Sequence, residues 1–192
     1  MLAYLGVAWM TAAVFLAAIS VSASAAQLTV TEVDKNADGT MTYHFSVKVS
    51  QTETMEPAAG DALPADFVTI YNFYGLVDGS VTTPDGWKFT SEESGRTPAA
   101  GGYPLVLPVD IPGTSNMTWT VTAGVKPGTE VTGFAATTRV TSMTDGMYSA
   151  QVTQRSGPIQ GAAGPPGSAQ MTSKQAQIGM IATPSFLAEL KK

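Results

Sequence analysis

The residues with the most apparent chemistry lie close together near the start of the chain. Asp34-Lys35-Asn36-Ala37-Asp38-Gly39 matches the opening of a calcium loop, D-x-N-x-D-G. In such a loop Asp34, Asn36 and Asp38 present oxygen ligands, and Gly39 allows the sharp turn. The twelfth position should supply a bidentate acid, and here it is Phe45. The loop lacks its strongest ligand, so a β-hairpin turn is the preferred reading of the same residues. His44 is the single histidine. It could serve as a general base only beside a nucleophile and an orienting carboxylate. It alternates with Thr42, Ser46 and Lys48 on what reads as a solvent face, and no Gly-x-Ser-x-Gly motif accompanies it.

Other groups offer weaker chemistry. Asp61, Asp66, Asp78, Asp85, Glu92 and Glu93 fall in or near loops. Two of them could form a glycosidase pair only if folding set them roughly 5 to 9.5 Å apart, which spacing along the chain cannot reveal. Trp87 and Tyr103 lie in or beside turn-rich segments, where an exposed ring could stack on a sugar. For each, packing is the preferred reading. Asn116-Met117-Thr118 satisfies the N-glycosylation pattern, a signal that is common by chance.

These side chains must be positioned by strands. Met41, Tyr43, Phe45, Val47 and Val49 alternate with polar residues, the mark of a half-buried strand. Leu28 to Val33 alternates as well, and Asn36-Ala37-Asp38-Gly39 joins the two into a predicted hairpin. Phe67 to Tyr74 is almost continuously apolar, as in a strand covered on both faces. Met117, Trp119, Val121 and Ala123 alternate with threonines, and Val131–Val140 and Tyr148–Thr153 complete the set. Pro84-Asp85-Gly86, Pro127-Gly128 and Asp145-Gly146 read as turns between strands. Thr52–Pro64 and Ser91–Pro112 read as long loops, the second with a short edge strand around Leu105-Val106-Leu107.

The ends have a different character. No charged side chain precedes Glu32, and an apolar stretch from Leu2 to Ile19 leads into Ser22-Ala23-Ser24-Ala25-Ala26. That pattern predicts a signal peptide over residues 1–26, cut after Ala25 or Ala26. Its about 18 apolar residues also approach the roughly 20 that span a bilayer, so an uncleaved anchor is the competing reading. Beyond Ser156, Gly161-Ala162-Ala163-Gly164-Pro165-Pro166-Gly167 reads as a flexible linker. Thr183-Pro184 reads as a helix start, opening a short terminal helix over Ser185 to Lys192. The expected organisation is a leader over 1–26, one β domain over 27–155 and a flexible tail over 156–192.

Composition narrows the function. The leader's removal leaves about 166 residues, enough for one domain with a real core. The chain has no cysteine, which excludes disulfides, thiolate zinc sites and lipid attachment to cysteine. A net charge of −5 argues against a nucleic-acid partner, because phosphate binding relies on Lys and Arg. No cofactor is implied.

The block from Asp66 to Val77, with Gly79-Ser80, Pro84-Asp85-Gly86-Trp87, Gly95-Arg96-Thr97-Pro98 and the Met117–Thr122 strand, resembles exported bacterial proteins of the PEP-CTERM type. The resemblance covers about 90 residues and implies a small β-rich surface or matrix protein without assigned activity. The chain has no Pro-Glu-Pro and no apolar carboxy-terminal helix, so neither the sorting signal nor any functional residue carries over.

The sequence therefore predicts an all-β fold, an antiparallel two-layer β-sandwich of Ig-like or jelly-roll-like type. The expected role is a secreted, periplasmic or cell-surface structural or interaction module without enzymatic activity. Its expected partners are envelope or matrix proteins or glycans, with no membrane contact once the leader is cleaved. The alternatives are a carbohydrate-binding module using Trp87 and Tyr103, and a hydrolase using loop carboxylates.

Overall fold

A computed structural model describes residues 26–60, 63–98, 109–156 and 171–186. The predicted leader, Asp61, Tyr103 and the predicted edge strand at Leu105–Leu107 lie outside the described residues, as does most of the predicted terminal helix. Within them the chain is all-β. Its strands are β1 (Gln27–Lys35), β2 (Met41–Lys48), β3 (Glu53–Thr54), β4 (Phe67–Phe73), β5 (Trp87–Glu92), β6 (Ser115–Val121), β7 (Glu130–Thr138), β8 (Met143–Ser156) and β9 (Met171–Pro184).

The strands form two antiparallel sheets. The first has the order β1-β2-β7, and the second runs β9-β8-β4-β6-β5, with β3 also paired to β8. The predicted hairpin joins β1 to β2, with Lys35 opposite Met41. Its turn is closed by the Asn36 amide donating to the Thr40 carbonyl at 2.8 Å and the Gly39 amide donating to the Asn36 carbonyl at 3.0 Å.

Side chains from both sheets meet in one core. Tyr43 and Phe45 of β2 and Phe134 of β7 reach Phe73 of β4, Trp119 of β6 and Trp87 of β5, with ring centroids 5.0 to 5.9 Å apart. Edge-to-face and tilted geometries dominate, as expected for rings that carry a quadrupole. Tyr43, Phe45, Phe73, Trp119 and Phe134 are almost wholly buried. Alternation in β2 and β6 thus becomes the inner wall of the protein.

Three expectations require correction. The first concerns the tail. Met171–Pro184 is a strand, paired with β8 over its full length, from Ser156 opposite Met171 to Met143 opposite Pro184. The domain therefore runs past residue 155, and Thr183-Pro184 ends a strand where a helix start was predicted. Pairing with β8 holds Thr183 and Pro184 themselves in extended backbone, as the last two residues of the strand. The second is Asp145-Gly146, which lies inside β8 and makes no turn. A side chain at Gly146 would collide with Thr183, so glycine is there for close strand packing. The third is β5, which runs into the start of the expected Ser91–Pro112 loop; Lys88, Thr90, Ser91 and Glu92 give it little apolar pattern.

Candidate functional site

The calcium-like residues are occupied within the hairpin. The Asp38 carboxylate accepts from the Thr40 amide at 3.0 Å and from its hydroxyl at 2.7 Å, which holds its pKa below the usual carboxylate value. The Asn36 side-chain amide donates to the hydroxyls of Thr40 and Thr42. Asp34 lies 3.0 Å from His44 Nε2 across the hairpin, both half exposed. Phe45, the twelfth position, is buried in the core. Among the described residues no three of His, Asp and Glu converge as a metal site.

The sugar-stacking reading of Trp87 is overturned. Only 8% of this residue is exposed, and its ring packs edge-on against Phe134 at 5.0 Å. β5 starts at Trp87 directly after the Pro84-Asp85-Gly86 turn, and that register points the indole inward. Asn116 is also buried, and its amide nitrogen donates to the Glu93 carbonyl at 2.7 Å and to Asp110 Oδ1 at 2.9 Å. The folded chain therefore does not present it as a glycan acceptor. Asp78, Asp85, Glu92 and Glu93 are exposed.

Asp66 behaves differently from the other loop acids. It is fully buried, and Lys174 of β9 sits 2.8 Å from its Oδ1 with a side chain only 9% exposed. Asp66 Oδ2 accepts from the Thr153 hydroxyl at 2.7 Å and the Glu56 amide at 2.8 Å. Lys174 also donates to Thr153 Oγ1 at 2.8 Å. Gln151 donates to the Ala65 carbonyl at 3.1 Å, directly beside this cluster. A buried carboxylate is tolerable only with such compensation, since an unpaired one costs several kcal/mol. Nothing in the linear sequence joins Asp66 to Lys174, which lie 108 residues apart. The only available signal is an acid placed immediately before the almost continuously apolar Phe67–Tyr74 run.

This cluster continues as a buried polar row on the outer face of the second sheet. Thr69 and Thr118 share a hydrogen bond at 2.7 Å between β4 and β6, and Tyr71 and Ser149 share one at 2.9 Å between β4 and β8. The described ends of the Ser91–Pro112 loop cover this row. Arg96 stands 4.5 Å over the Phe67 ring and donates to Thr120 at 3.0 Å. The Tyr71 hydroxyl donates to the Arg96 carbonyl, and Gly95 lies so close to the Tyr71 ring that any larger residue would strike it. Burial raises the Tyr71 phenol above its ordinary pKa, with the Ser149 bond opposing and Asp110 adding to the shift.

Two cavities flank the row. One, of about 260 Å³, is walled by Lys174, Thr153 and Thr172 on one side and by Glu56, Pro57, Ala58, Ala59 and Leu63 on the other. The second, of about 320 Å³, lies at the far end of β4 between Tyr71, Tyr74, Ile111 and Met147, with Thr144 and Asp145 at its rim. Asn72 shapes it from a left-handed backbone conformation, φ 53°. Its side-chain oxygen accepts from the Ile111 amide at 2.8 Å and the Thr114 hydroxyl at 3.0 Å, which pins the returning loop. In both cavities the polar groups with resolved partners are spent on neighbouring strands and loops. Comparison of the chain with protein families, curated proteins and solved structures finds no match in any of the three.

Proposed function

We propose that the chain is a secreted or cell-surface structural or interaction module without enzymatic activity, built as a two-layer β-sandwich of Ig-like or jelly-roll-like type. The Asp66–Lys174 pair supports this reading most directly. It is the one buried acid–base pair among the described residues, and it is committed to tying the last strand to the start of β4. A catalytic carboxylate would need a free lone pair and a pKa tuned by its site. Asp66 instead accepts hydrogen bonds on both oxygens. The leader-like start of the sequence supports export.

The test has two arms. Fractionation of expressing cells, with mass spectrometry of the amino terminus, should find the chain outside the cytoplasm beginning at Ala26 or Gln27. A chain retained in the cytoplasm with Met1 intact overturns export. A panel of glycosidic, ester and peptide substrates should show no turnover above a heat-denatured control. Turnover that is lost in Asp66→Asn would overturn the non-enzymatic reading in favour of a hydrolase.

A further inference from the structure

The two sheets end in strands that differ in how they resist further pairing. An edge strand exposes unpaired N–H and C=O groups, and soluble proteins blunt such edges with charges, bulges, short length or a covering segment. β1 carries Glu32, Asp34 and Lys35 and a bulge between Val30 and Glu32. β5 has only 6 residues and carries Lys88 and Glu92. β7 is covered in part by backbone bridges from Leu76 to Thr138 and from Thr82 to Ala135.

β9 has no outward charge, bulge or short length to blunt it, although β1 packs against part of it. It runs for 14 residues in register with β8 and, among the described residues, forms a strand ladder with β8 alone. Its single charge, Lys174, is turned inward onto Asp66. Its one proline stands at the very end. Three of the four large apolar side chains that the described residues expose are Met143, Met180 and Phe186, on or next to the β8–β9 ladder. Gln177 stands at the middle of the strand, opposite Ala150 of β8.

We infer that β9 is the interface with a second copy of this chain, joined by antiparallel pairing of β9 with β9 about a two-fold axis. An uncharged strand meets its own copy without repulsion, and a two-fold interface requires such self-complementarity. Directly opposed residues share a face of the sheet, so the allowed registers set odd positions opposite odd ones. The register centred on Gln177 overlaps the two strands over almost their whole length, from residue 171 to residue 183, and sets the two Gln177 residues opposite each other. The result is one continuous sheet running through both copies. This deepens the structural-module reading, but its test concerns the purified chain and is independent of export and of activity.

The absence of cysteine makes the test direct. Opposed residues on paired antiparallel strands have Cβ atoms about 4.5 to 5.5 Å apart, close to disulfide reach. Light scattering should give the mass of two chains, and Gln177→Cys should form a covalent dimer on mild oxidation. Glu92→Cys, on the opposite edge, should not. Gln177→Lys sets like charges against each other at the axis and should weaken the dimer by at least about tenfold, on the order of 1.4 kcal/mol. A thermal melt of each variant distinguishes loss of pairing from loss of fold. A wild-type chain that stays monomeric up to its solubility limit overturns the inference. So does a dimer that survives Gln177→Lys with its fold intact, or oxidation that links Glu92→Cys as readily as Gln177→Cys.

Discussion

Strands β4, β6 and β8 bury both of their faces, but the two faces are built from different chemistry. The inner face carries Val68, Ile70, Phe73, Met117, Trp119, Tyr148, Ala150 and Val152. The outer face of the same strands carries Thr69, Thr118, Ser149, Gln151 and Thr153, equally hidden from solvent. The inner face is held by non-directional burial and the outer face by specific hydrogen bonds. The first tolerates no loss of volume, whereas the second tolerates no loss of a single partner. Which contacts a mutation removes should therefore matter more than how deeply the residue lies.

The largest expected effect is on the inner face. Trp119→Ala should destabilise by about 4 kcal/mol in chemical unfolding, since it leaves a cavity among Phe45, Phe89 and Phe134. Lys174→Met should cost about 3 kcal/mol, because it strands a buried carboxylate. The double change Lys174→Met with Asp66→Leu should recover most of that loss. A double variant as unstable as the single one would show that volume, and not charge pairing, governs the outer face as well. A smaller step is Thr69→Val, which should cost about 1 kcal/mol by leaving Thr118 without its partner. Thr69→Val combined with Thr118→Val should approach the wild type.

The last prediction uses pH. Burial pushes the Tyr43 phenol up to about 12, and its hydroxyl has no partner among the described residues. Burial also raises Tyr148, and the Leu28 backbone bond opposes that shift. A raised folded value contributes stability that is fully present below pH 10, the ordinary phenol value, and is lost as pH rises through the folded value of about 12. Alkaline titration should therefore show Tyr43 ionising only together with unfolding. Glu53 follows the same sign at lower pH. Burial raises its carboxyl from 4.5 although Ser50 donates to it, so its contribution is present below 4.5 and falls as pH rises through the raised value. Glu53→Gln should stabilise the protein at neutral pH and flatten that slope.

The inner face is legible in the sequence, and the outer face only in β4, whose Phe67–Tyr74 run reads as covered on both sides, for a physical reason. Alternation in β2 and β6 reports burial of apolar groups directly, so Tyr43, Phe45, Met117 and Trp119 were assigned to the core from spacing alone. Thr118 and Ser46 were read as solvent-facing because polarity usually means exposure, yet both are buried. Covering of the outer face by the described ends of the Ser91–Pro112 loop is a tertiary event that no local pattern encodes. β9 was missed for a related reason. As an edge strand it has neither face fully covered, so Lys174, Gln175, Gln177 and Gly179 interrupt any period of two. Trp87 begins a short polar strand directly after a turn, and its inward register fits the preferred packing reading over sugar stacking.

The Asp66–Lys174 pair also has a consequence for the order of assembly. Asp66 and the β4 strand are synthesised long before Lys174, and their sheet lacks both β9 and its counter-charge until residue 174 has been made. A chain broken off before residue 174 carries a carboxylate that the fold would bury with no cation to meet it. The pair thus makes the sheet conditional on β9: it closes at full stability only once that strand has arrived.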